Sequence, residues 1–205
     1  MDPSSVLAFW FGESIRDPQA AQARAALWYR SNSKADAHIK AQFGDILTLL
    51  EQKQLVDWSL SITGQVAQII VLDQFSRNIY RGTRQAFAND AQALAIASEL
   101  IQQNQHLSLS PMEQVFLYHP FKHAENLACQ KLSVELFTRL LKSAPLTWQK
   151  QLQNFLHHAQ EHHDIVTAFG RFPHRNLLLG RTDTEAEKAF LTRARRHGQT
   201  LVKRD

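Results

Sequence analysis

Strict alternation of apolar and polar positions between turn residues, the pattern of a half-buried β-strand, does not extend over five residues anywhere in the sequence. Instead, residues typical of helix caps separate segments whose apolar residues share one face of a helix. The helices are placed at about 4–11, 18–30, 34–56, 64–80, 90–104, 111–119, 123–142, 147–169 and 183–196. The pattern therefore predicts an all-α protein of about nine helices.

One helix start is especially clear. Ser110, Pro111 and Glu113 predict a capping box, in which the serine and glutamate side chains satisfy backbone N–H groups of the first turn. A helix is therefore expected to begin at Pro111.

The last helix carries a similar signal in two registers. Thr182 with Glu185, or Thr184 with Glu187, predicts its capping box, and the His-Gly pair at 197–198 predicts its end.

The short connections between helices favour antiparallel neighbours. We therefore expect a bundle or a stack of helical hairpins, like a tetratricopeptide or α-solenoid protein. No repeat of about 30 to 45 residues is convincing. No linker or low-complexity segment divides the chain, so residues 1–205 are expected to form one domain.

Composition excludes several classes of protein. Cys129 is the single cysteine, so an intrachain disulfide is excluded. The N-terminal sequence lacks the basic region of a secretory signal. The longest aliphatic run of the chain, at 69–72, is far shorter than the ~20 residues of a membrane span. We expect a cytoplasmic protein without a membrane partner. The net charge of +4 does not imply a general attraction to nucleic acid.

Polar residues share one face of the otherwise apolar helix at 66–82. This face is apolar in its first turn and becomes polar further along, which is typical of a helix that runs from the core into a polar cavity. The alternative is a helix that emerges into water, with Asp73 and Arg77 as a surface ion pair. The polar residues are Asp73, Gln74, Arg77, Asn78 and Arg81.

Histidines mark the helix at 148–169. His162 and His163 fall within its apolar face, so both are expected to point inward, either as buried structural histidines or as members of a site. His158 and His162 are four residues apart and could reach one metal ion, but no third ligand accompanies them. We expect no metal site.

Two further segments carry candidate chemistry. In residues 119–126, His123 precedes Glu125, which could orient it for acid–base work or make a surface contact. In residues 169–181, Gly170 is expected to end a helix, and the loop that follows is rich in arginine. Clustered arginines need an anion, which could be external or could be Asp73, Glu125 or Asp164. The loop presents Arg171, His174, Arg175 and Asn176.

These segments closely resemble an uncharacterised, mostly bacterial family, domain of unknown function 924. The resemblance rests on LDQFSRNIYRGT at 72–83, AFANDAQALAIA at 86–97, the His-x-Glu of HAEN at 123–126, and HHDIVTAFGRFPHRNLLLGR at 162–181. It implies an all-α, tetratricopeptide-like fold and supplies no function.

Two departures from the family pattern are visible. Lys122 stands in a segment expected to be more apolar, which predicts that it lies at the edge of the site. The sequence TDTEAE after Arg181 is expected to alter the cap of the last helix but not the pocket.

Our first hypothesis is a pocket for a small anion bearing phosphate or carboxylate, with no cofactor. If the protein is an enzyme, it would be a metabolite hydrolase or lyase with His162 or His174 as general base and water as nucleophile. The predicted catalytic residues are His123, Glu125, His162 and His174, and the predicted ligand-binding residues are Asp73, Arg77, Asn78, Arg81, Arg171, Arg175 and Asn176.

Three alternatives stay open. A tetratricopeptide-like scaffold could clamp the carboxylates of a peptide or partner protein with the arginines. The basic segment 193–204 could bind nucleic acid, although the helix dipole alone favours basic residues at the end of a helix. The polar network could also be purely architectural. The sequence does not indicate an oligomeric state.

Overall fold

The computed structural model describes residues 2–30 and 32–193, except for the side chain of Arg193. Within these ranges the chain forms α-helices, 3₁₀ turns and one π-helical turn, and no β-strand. The expected all-α class is confirmed. The predicted helix end at 197–198 and the basic segment beyond Arg193 lie outside the described residues. The helices are α1 (Pro3–Phe11), α2 (Pro18–Tyr29), α3 (Ser33–Glu51), α4 (Ile62–Ile69), α5 (Ser76–Ile79), α6 (Asp90–Gln102), α7 (Pro111–His123), α8 (Leu127–Ser143), α9 (Gln149–Phe169) and α10 (Glu185–Arg193).

A central rod organises the fold. This rod consists of α4, a π-helical turn at Ile70–Phe75 and α5, which follow one another without a break. When the rod is counted as one helix, the described residues contain nine helices, as predicted. Helices α1, α3, α6 and α7 pack around this rod, and residues 64–76 are all buried. Because one helix is surrounded by several others, the likeness to a tetratricopeptide stack, where each repeat contacts its neighbours, is loose.

Aromatic side chains fill the space between the rod and its neighbours. The Trp10 ring contacts Phe75 of the rod and Phe116 of α7, with centroids 5.4 and 5.5 Å apart, respectively. Trp28 packs edge-on against Phe116 and donates its indole N–H to the Trp10 carbonyl at 3.1 Å. These large rings bury much apolar area and fix where the rod lies relative to α1, α2 and α7.

The structure extends α7 beyond its predicted end. We expected the helix to stop before Pro120, but it continues to His123 because proline removes a single backbone donor and residues 115–122 are all buried in packing. The Gln130 amide then donates to the carbonyls of Lys122 and Ala124, both at 2.7 Å, and satisfies the helix end. Helix α8 consequently begins later than predicted, after its N-cap Asn126.

The end of α3 was also predicted too late. The helix stops at Glu51, where Lys53 adopts a left-handed conformation with φ of +57° and ends the helix in the way that glycine usually does. Sequence reasoning had no glycine or proline to mark this stop. The capping box at Ser110 and Glu113 is confirmed, and Thr184 with Glu187 forms the predicted box at the last helix.

None of the helices in the described part of the chain is both long enough and apolar enough to cross a membrane.

Gly64 provides a test of the rod's packing. An added Cβ at this position would overlap the Trp58 carbonyl, so Gly64→Ala is expected to destabilise the protein by about 1–3 kcal/mol despite the better helix propensity of alanine. Gly44→Ala in α3 is the matched control, since a Cβ there meets nothing within 4 Å and should stabilise by up to about 1 kcal/mol. Urea unfolding measures both. Equal effects of the two substitutions would contradict the close packing at Gly64.

Candidate functional site

A cavity of about 730 Å³ lies beside the central rod. Its walls come from the rod, from the end of α2, from α7 and α9, and from the loop that follows α9. This volume suits a small organic ligand. Of the predicted site residues, the cavity brings together Arg77, Asn78, Arg81, His123, His162, His174 and Arg175.

Asp73 lies directly behind the cavity, in the π-helical turn of the rod, and its side chain is fully buried. Its carboxylate accepts hydrogen bonds from the Gln74 amide and from His123 Nδ1, and Arg77 Nη1 lies 2.9 Å from Oδ1. π-Helical turns recur at functional sites because they reposition side chains within a helix. A buried carboxylate with three partners is thus the polar centre of the rod.

Asp73 also fixes the state of His123. The ring Nδ1 lies 2.8 Å from Oδ1 and 3.0 Å from Oδ2, and a carboxylate can only accept, so Nδ1 carries the proton. The other ring nitrogen, Nε2, then has a lone pair available to a ligand. Burial, with the charges of Arg77 and Lys122, holds the pKa of His123 well below its usual range. His123 is therefore a neutral base at pH 7, oriented as in an Asp–His pair of a hydrolase.

His119 lies one turn before His123 on α7. Its Nδ1 donates to the Val115 carbonyl at 2.7 Å, and its ring stacks on Phe116 at 4.8 Å. Burial keeps its pKa well below the usual value, so the ring is neutral. Its Nε2 is buried without a hydrogen-bond partner in the described part of the chain. The cavity wall thus contains an unsatisfied acceptor.

Two carboxylates from other helices hold Arg77 of the rod and Arg81 in the turn that follows it. Arg77 Nη2 donates to Asp90 at 3.0 Å, in the first turn of α6. Arg81 makes a bidentate pair with Asp36, in the first turn of α3, through Nε at 2.6 Å and Nη2 at 2.9 Å. Asn78 donates to the same carboxylate. These charge-assisted bonds fix the polar face of the rod.

Arg175 is held differently. Its guanidinium lies between the rings of Phe87 and Phe172, 4.6 Å from each centroid. Arg175 as a whole is 6% exposed. The Asp90 carboxylate lies 3.5 Å from Nη1 of Arg175. Among the described residues, the Arg175 side chain forms no hydrogen bond. Burial and Arg77 lower the pKa of Arg175 to about 10, so it remains charged at pH 7. Cation–π contacts fix its position but leave its donors available.

Lys122 is the third buried cation of the cavity. The residue is 5% exposed, and its ammonium has no hydrogen bond or ion pair within the residues described. Burial lowers its pKa to about 8. We expected it at the edge of the site, whereas the structure places it in the buried wall.

The buried side of the cavity is therefore positively charged. Among the buried groups, Arg77, Arg175 and Lys122 face two carboxylates, Asp73 and Asp90, so three positive charges meet two negative ones. Two other acidic residues, Glu161 and Asp164, line the cavity, and their side chains are exposed to solvent. The remaining arginines of the rod and loop are balanced one to one, as with Arg81 and Asp36. An anion would complete the balance.

Glu125, Arg171 and Asn176 do not line this cavity. Glu125 accepts two bonds from Arg181, at 2.6 and 2.8 Å, and one from the Phe172 N–H at 2.8 Å. Asn176 is fully buried and bridges Asp183 and Arg181. These contacts hold the loop after α9, a helix that ends at Gly170 as predicted, with the glycine in a left-handed conformation.

Arg171 belongs to the same framework. It forms a bidentate pair with Glu187 of α10, at 2.7 and 2.9 Å, and Glu187 also accepts the Thr184 N–H in the capping box. The loop is thus tied to the last helix by a carboxylate that sequence analysis assigned to the cap alone.

The histidines of α9 divide between cavity and surface. His162 lines the cavity, with Nδ1 2.8 Å from the His158 carbonyl and its ring 6.3 Å from that of His123. The prediction that His163 also points inward was wrong: it is partly exposed and contacts Asp164, because the apolar arc is narrower than assumed. His158 is exposed, and its Nδ1 contacts Glu161. No group of three or more metal-ligating side chains occurs in the described ranges.

Several residues that line the cavity or hold its arginines escaped sequence analysis. Asp36 and Asp90 lie in first turns of helices, where an acidic residue is expected for the helix dipole alone. His119 could have been found from its spacing, because it lies four residues before His123 and therefore on the same face of a helix that continues through Pro120. Phe87 lay within the quoted segment 86–97, but nothing in the pattern indicated that its ring would support an arginine.

Removal of the Lys122 charge is expected to stabilise the protein. Lys122→Met should raise Tm at pH 7 by about 5 °C or more, because a buried, unpaired ammonium destabilises the folded state. The pKa of Lys122 is about 8 in the folded protein and 10.5 for an ordinary lysine. Between these pH values the unfolded state therefore binds more protons than the folded state. Raising the pH from 8 to 10.5 therefore stabilises wild type relative to the variant, by about 3 kcal/mol.

Urea unfolding of both proteins between pH 7 and 10 measures this difference, with Lys131→Met as the exposed control. A stability difference that does not change with pH would contradict a depressed Lys122 pKa.

Glu125→Ala is expected to destabilise the protein by about 2–4 kcal/mol, since Arg181 and the Phe172 N–H lose their acceptor. Glu135→Ala, which breaks the exposed pair with Arg139, should change stability by less than about 1 kcal/mol. Although burial acts to raise it, Arg181 lowers the pKa of Glu125, so its stabilisation is present above about pH 4.5 and is lost as the pH falls further. Thermal unfolding at pH 7 and pH 3 tests both points; a large effect that persists at low pH would exclude the ion pair as its cause.

Comparisons with known proteins agree with this fold. A family model described as "Bacterial protein of unknown function (DUF924)" matches residues 6–195. The solved structure of a protein of unknown function from Agrobacterium tumefaciens is similar, with 32% sequence identity and a TM-score of 0.78, over 94% of this chain and 97% of that one. No curated protein matches the chain.

Proposed function

Because this chain belongs to the DUF924 family of bacterial proteins of unknown function, we propose a role from its cavity: it binds a small anion that bears a phosphate or carboxylate group, and acts on it with His123 as general base. This proposal rests mainly on the anion site. Arg175 supports it most directly, because a buried guanidinium held by two aromatic faces and a distant carboxylate retains donors for a ligand.

The surroundings favour an external anion over an architectural role for these cations. Arg171 and Arg181 each have a bidentate carboxylate partner, which is what an architectural arginine requires. Arg175 and Lys122 lack one in the described part of the chain. Buried charges without an equal partner are typical of functional sites, where a ligand can supply the opposite charge.

The pair of Asp73 and His123 supports catalysis. Asp73 holds the ring in one tautomer and orientation, and the low pKa keeps Nε2 unprotonated at pH 7. A base of this kind could activate water, as in a hydrolase, or remove a proton from a bound substrate, as in a lyase. His162 and His174 line the same cavity and remain predicted acid–base residues.

The loop after α9 favours a small ligand over an extended peptide. Arg175 and Phe172, which it contributes, are buried, and the loop forms one wall of the cavity. The cavity is partly open to solvent, but Arg175 lies in its buried wall, which supports a small ligand over an extended peptide.

Thermal shift measurements test the anion site. A ligand at about 100 times its Kd stabilises by roughly 2.7 kcal/mol, so Tm of wild type should rise by about 5–10 °C with at least one of inorganic phosphate, sugar phosphates or small di- and tricarboxylates. Arg175→Met should weaken binding at least tenfold. Arg139→Met, which removes an exposed arginine, should bind like wild type.

Two outcomes would overturn the proposal. One is the absence of any shift together with an Arg175→Met protein that melts far below wild type, since Arg175 would then serve internal carboxylates. The other is a shift with peptides that carry a free C-terminus and with none of the small anions, which would favour the scaffold.

A further inference from the structure

Lys122 differs from the other described lysines. All seven of those are exposed to solvent, whereas Lys122 is 5% exposed and lines the cavity. The exposed lysines are Lys34, Lys40, Lys53, Lys131, Lys142, Lys150 and Lys188. Their distribution is the usual one for an amine that is strongly hydrated. A lysine in a cavity wall therefore requires a reason.

An ion pair is the usual reason for a buried lysine, and it does not apply here. Within the described residues no carboxylate oxygen lies within ion-pair distance of the ammonium. Asp73 is near enough to act on it electrostatically, but this carboxylate is already bonded to His123 and Arg77. Within the described residues, the Lys122 amine therefore has no ion-pair partner and is available to a ligand in the cavity.

Its neighbours supply both acid–base and anion-binding groups. On helix α7, Lys122 and His123 lie three and four residues after His119, and all three line the same cavity. His123 Nε2 can accept a proton, and Arg77 and Arg175 can hold an anionic group nearby. An amine nucleophile, a proton carrier and an anion site therefore share one wall.

The amine is also partly neutral near physiological pH. With a pKa of about 8, about half of the Lys122 side chains are uncharged at pH 8, against about 0.3% for a lysine of ordinary pKa. A neutral amine is the nucleophilic form, and desolvation by burial is a common way to produce it.

We propose that Lys122 forms a Schiff base with a small carbonyl compound that bears a carboxylate or phosphate group, an inference that rests on the proposed anion site. The lone pair of Nζ attacks the carbonyl carbon, and the C=O π electrons move to oxygen, which takes up a proton from solvent. His123 removes a proton from the nitrogen and returns it to the hydroxyl group, which leaves as water as the C=N bond forms. One water is released, and no oxidant or other reactant is needed.

This chemistry selects between the two classes of enzyme. A protonated imine withdraws electrons from the adjacent carbon, so it promotes the cleavage or formation of a bond to that carbon. A hydrolase has no use for this amine. The proposal therefore favours a lyase whose substrate is an oxo acid or a phosphorylated aldehyde or ketone.

Trapping with cyanoborohydride tests the proposal on the full chain. The probes are glyoxylate and pyridoxal 5′-phosphate, which pair a carbonyl with a carboxylate or a phosphate, and acetaldehyde and pyridoxal, which lack that carboxylate or phosphate. After reduction at pH 8, peptide mass spectrometry should locate one dominant adduct at Lys122. At least one anionic probe should label it tenfold or more faster than its uncharged counterpart, and inorganic phosphate should slow the labelling.

Three variants are matched to this experiment. Lys122→Arg keeps the charge but cannot form an imine, so it should lose the adduct while still binding phosphate. Arg175→Met should slow labelling of Lys122 at least tenfold, and Lys131→Arg should leave it unchanged.

Adducts spread over the exposed lysines, with Lys122 unlabelled, would overturn the Schiff base. If phosphate still raises Tm in an Arg175-dependent way, the anion site survives that result. Labelling of Lys122 that is equally fast with anionic and uncharged probes would overturn the anionic substrate. The failure of both trapping and binding would overturn both proposals.

Discussion

The burial of the Asp73 carboxylate is the constraint on which the site depends. A carboxylate without any exposure in the centre of the rod is stable only with partners, and His123 and Arg77 supply them from α7 and from the next turn of the rod. His123 must therefore face the rod, which brings His119 and Lys122 to the same wall. The ion pair with Asp90 then places the start of α6, and Arg175 completes the group from the loop. One buried charge thus positions residues from four separate segments.

The arginines near the site divide into two groups with different partners. Arg171 and Arg181 tie the loop after α9 to Glu187 and Glu125 through bidentate pairs, and so hold the wall in place. Arg175 rests on aromatic rings, and its nearest carboxylate is 3.5 Å away. A rigid framework of balanced pairs around less balanced cations is how a binding site is held ready for an anion without a change of shape.

Much of the fold and part of the site could be predicted from the sequence, because local signals determine them. The capping boxes at Ser110 and Thr184 form as expected, and the polar face of the rod does enter a cavity. Long-range partners could not be predicted. Asp36 and Asp90 look like ordinary first-turn residues until the fold brings an arginine to each, and Pro120 looks like a stop until packing holds the helix together. Burial, which lowers the pKa of Lys122, is likewise a property of the fold and not of its neighbours in sequence.

The central claim is that a neutral, Asp73-bound His123 stands beside an excess of positive charge that an anion relieves. Nuclear magnetic resonance of ¹⁵N-labelled imidazoles, titrated with and without phosphate, tests it most directly. The account predicts a His123 ring protonated on Nδ1 at pH 7, with a pKa well below 6.5 that rises when the anion binds. A His123 pKa at or above 6.5 that phosphate does not change would contradict it.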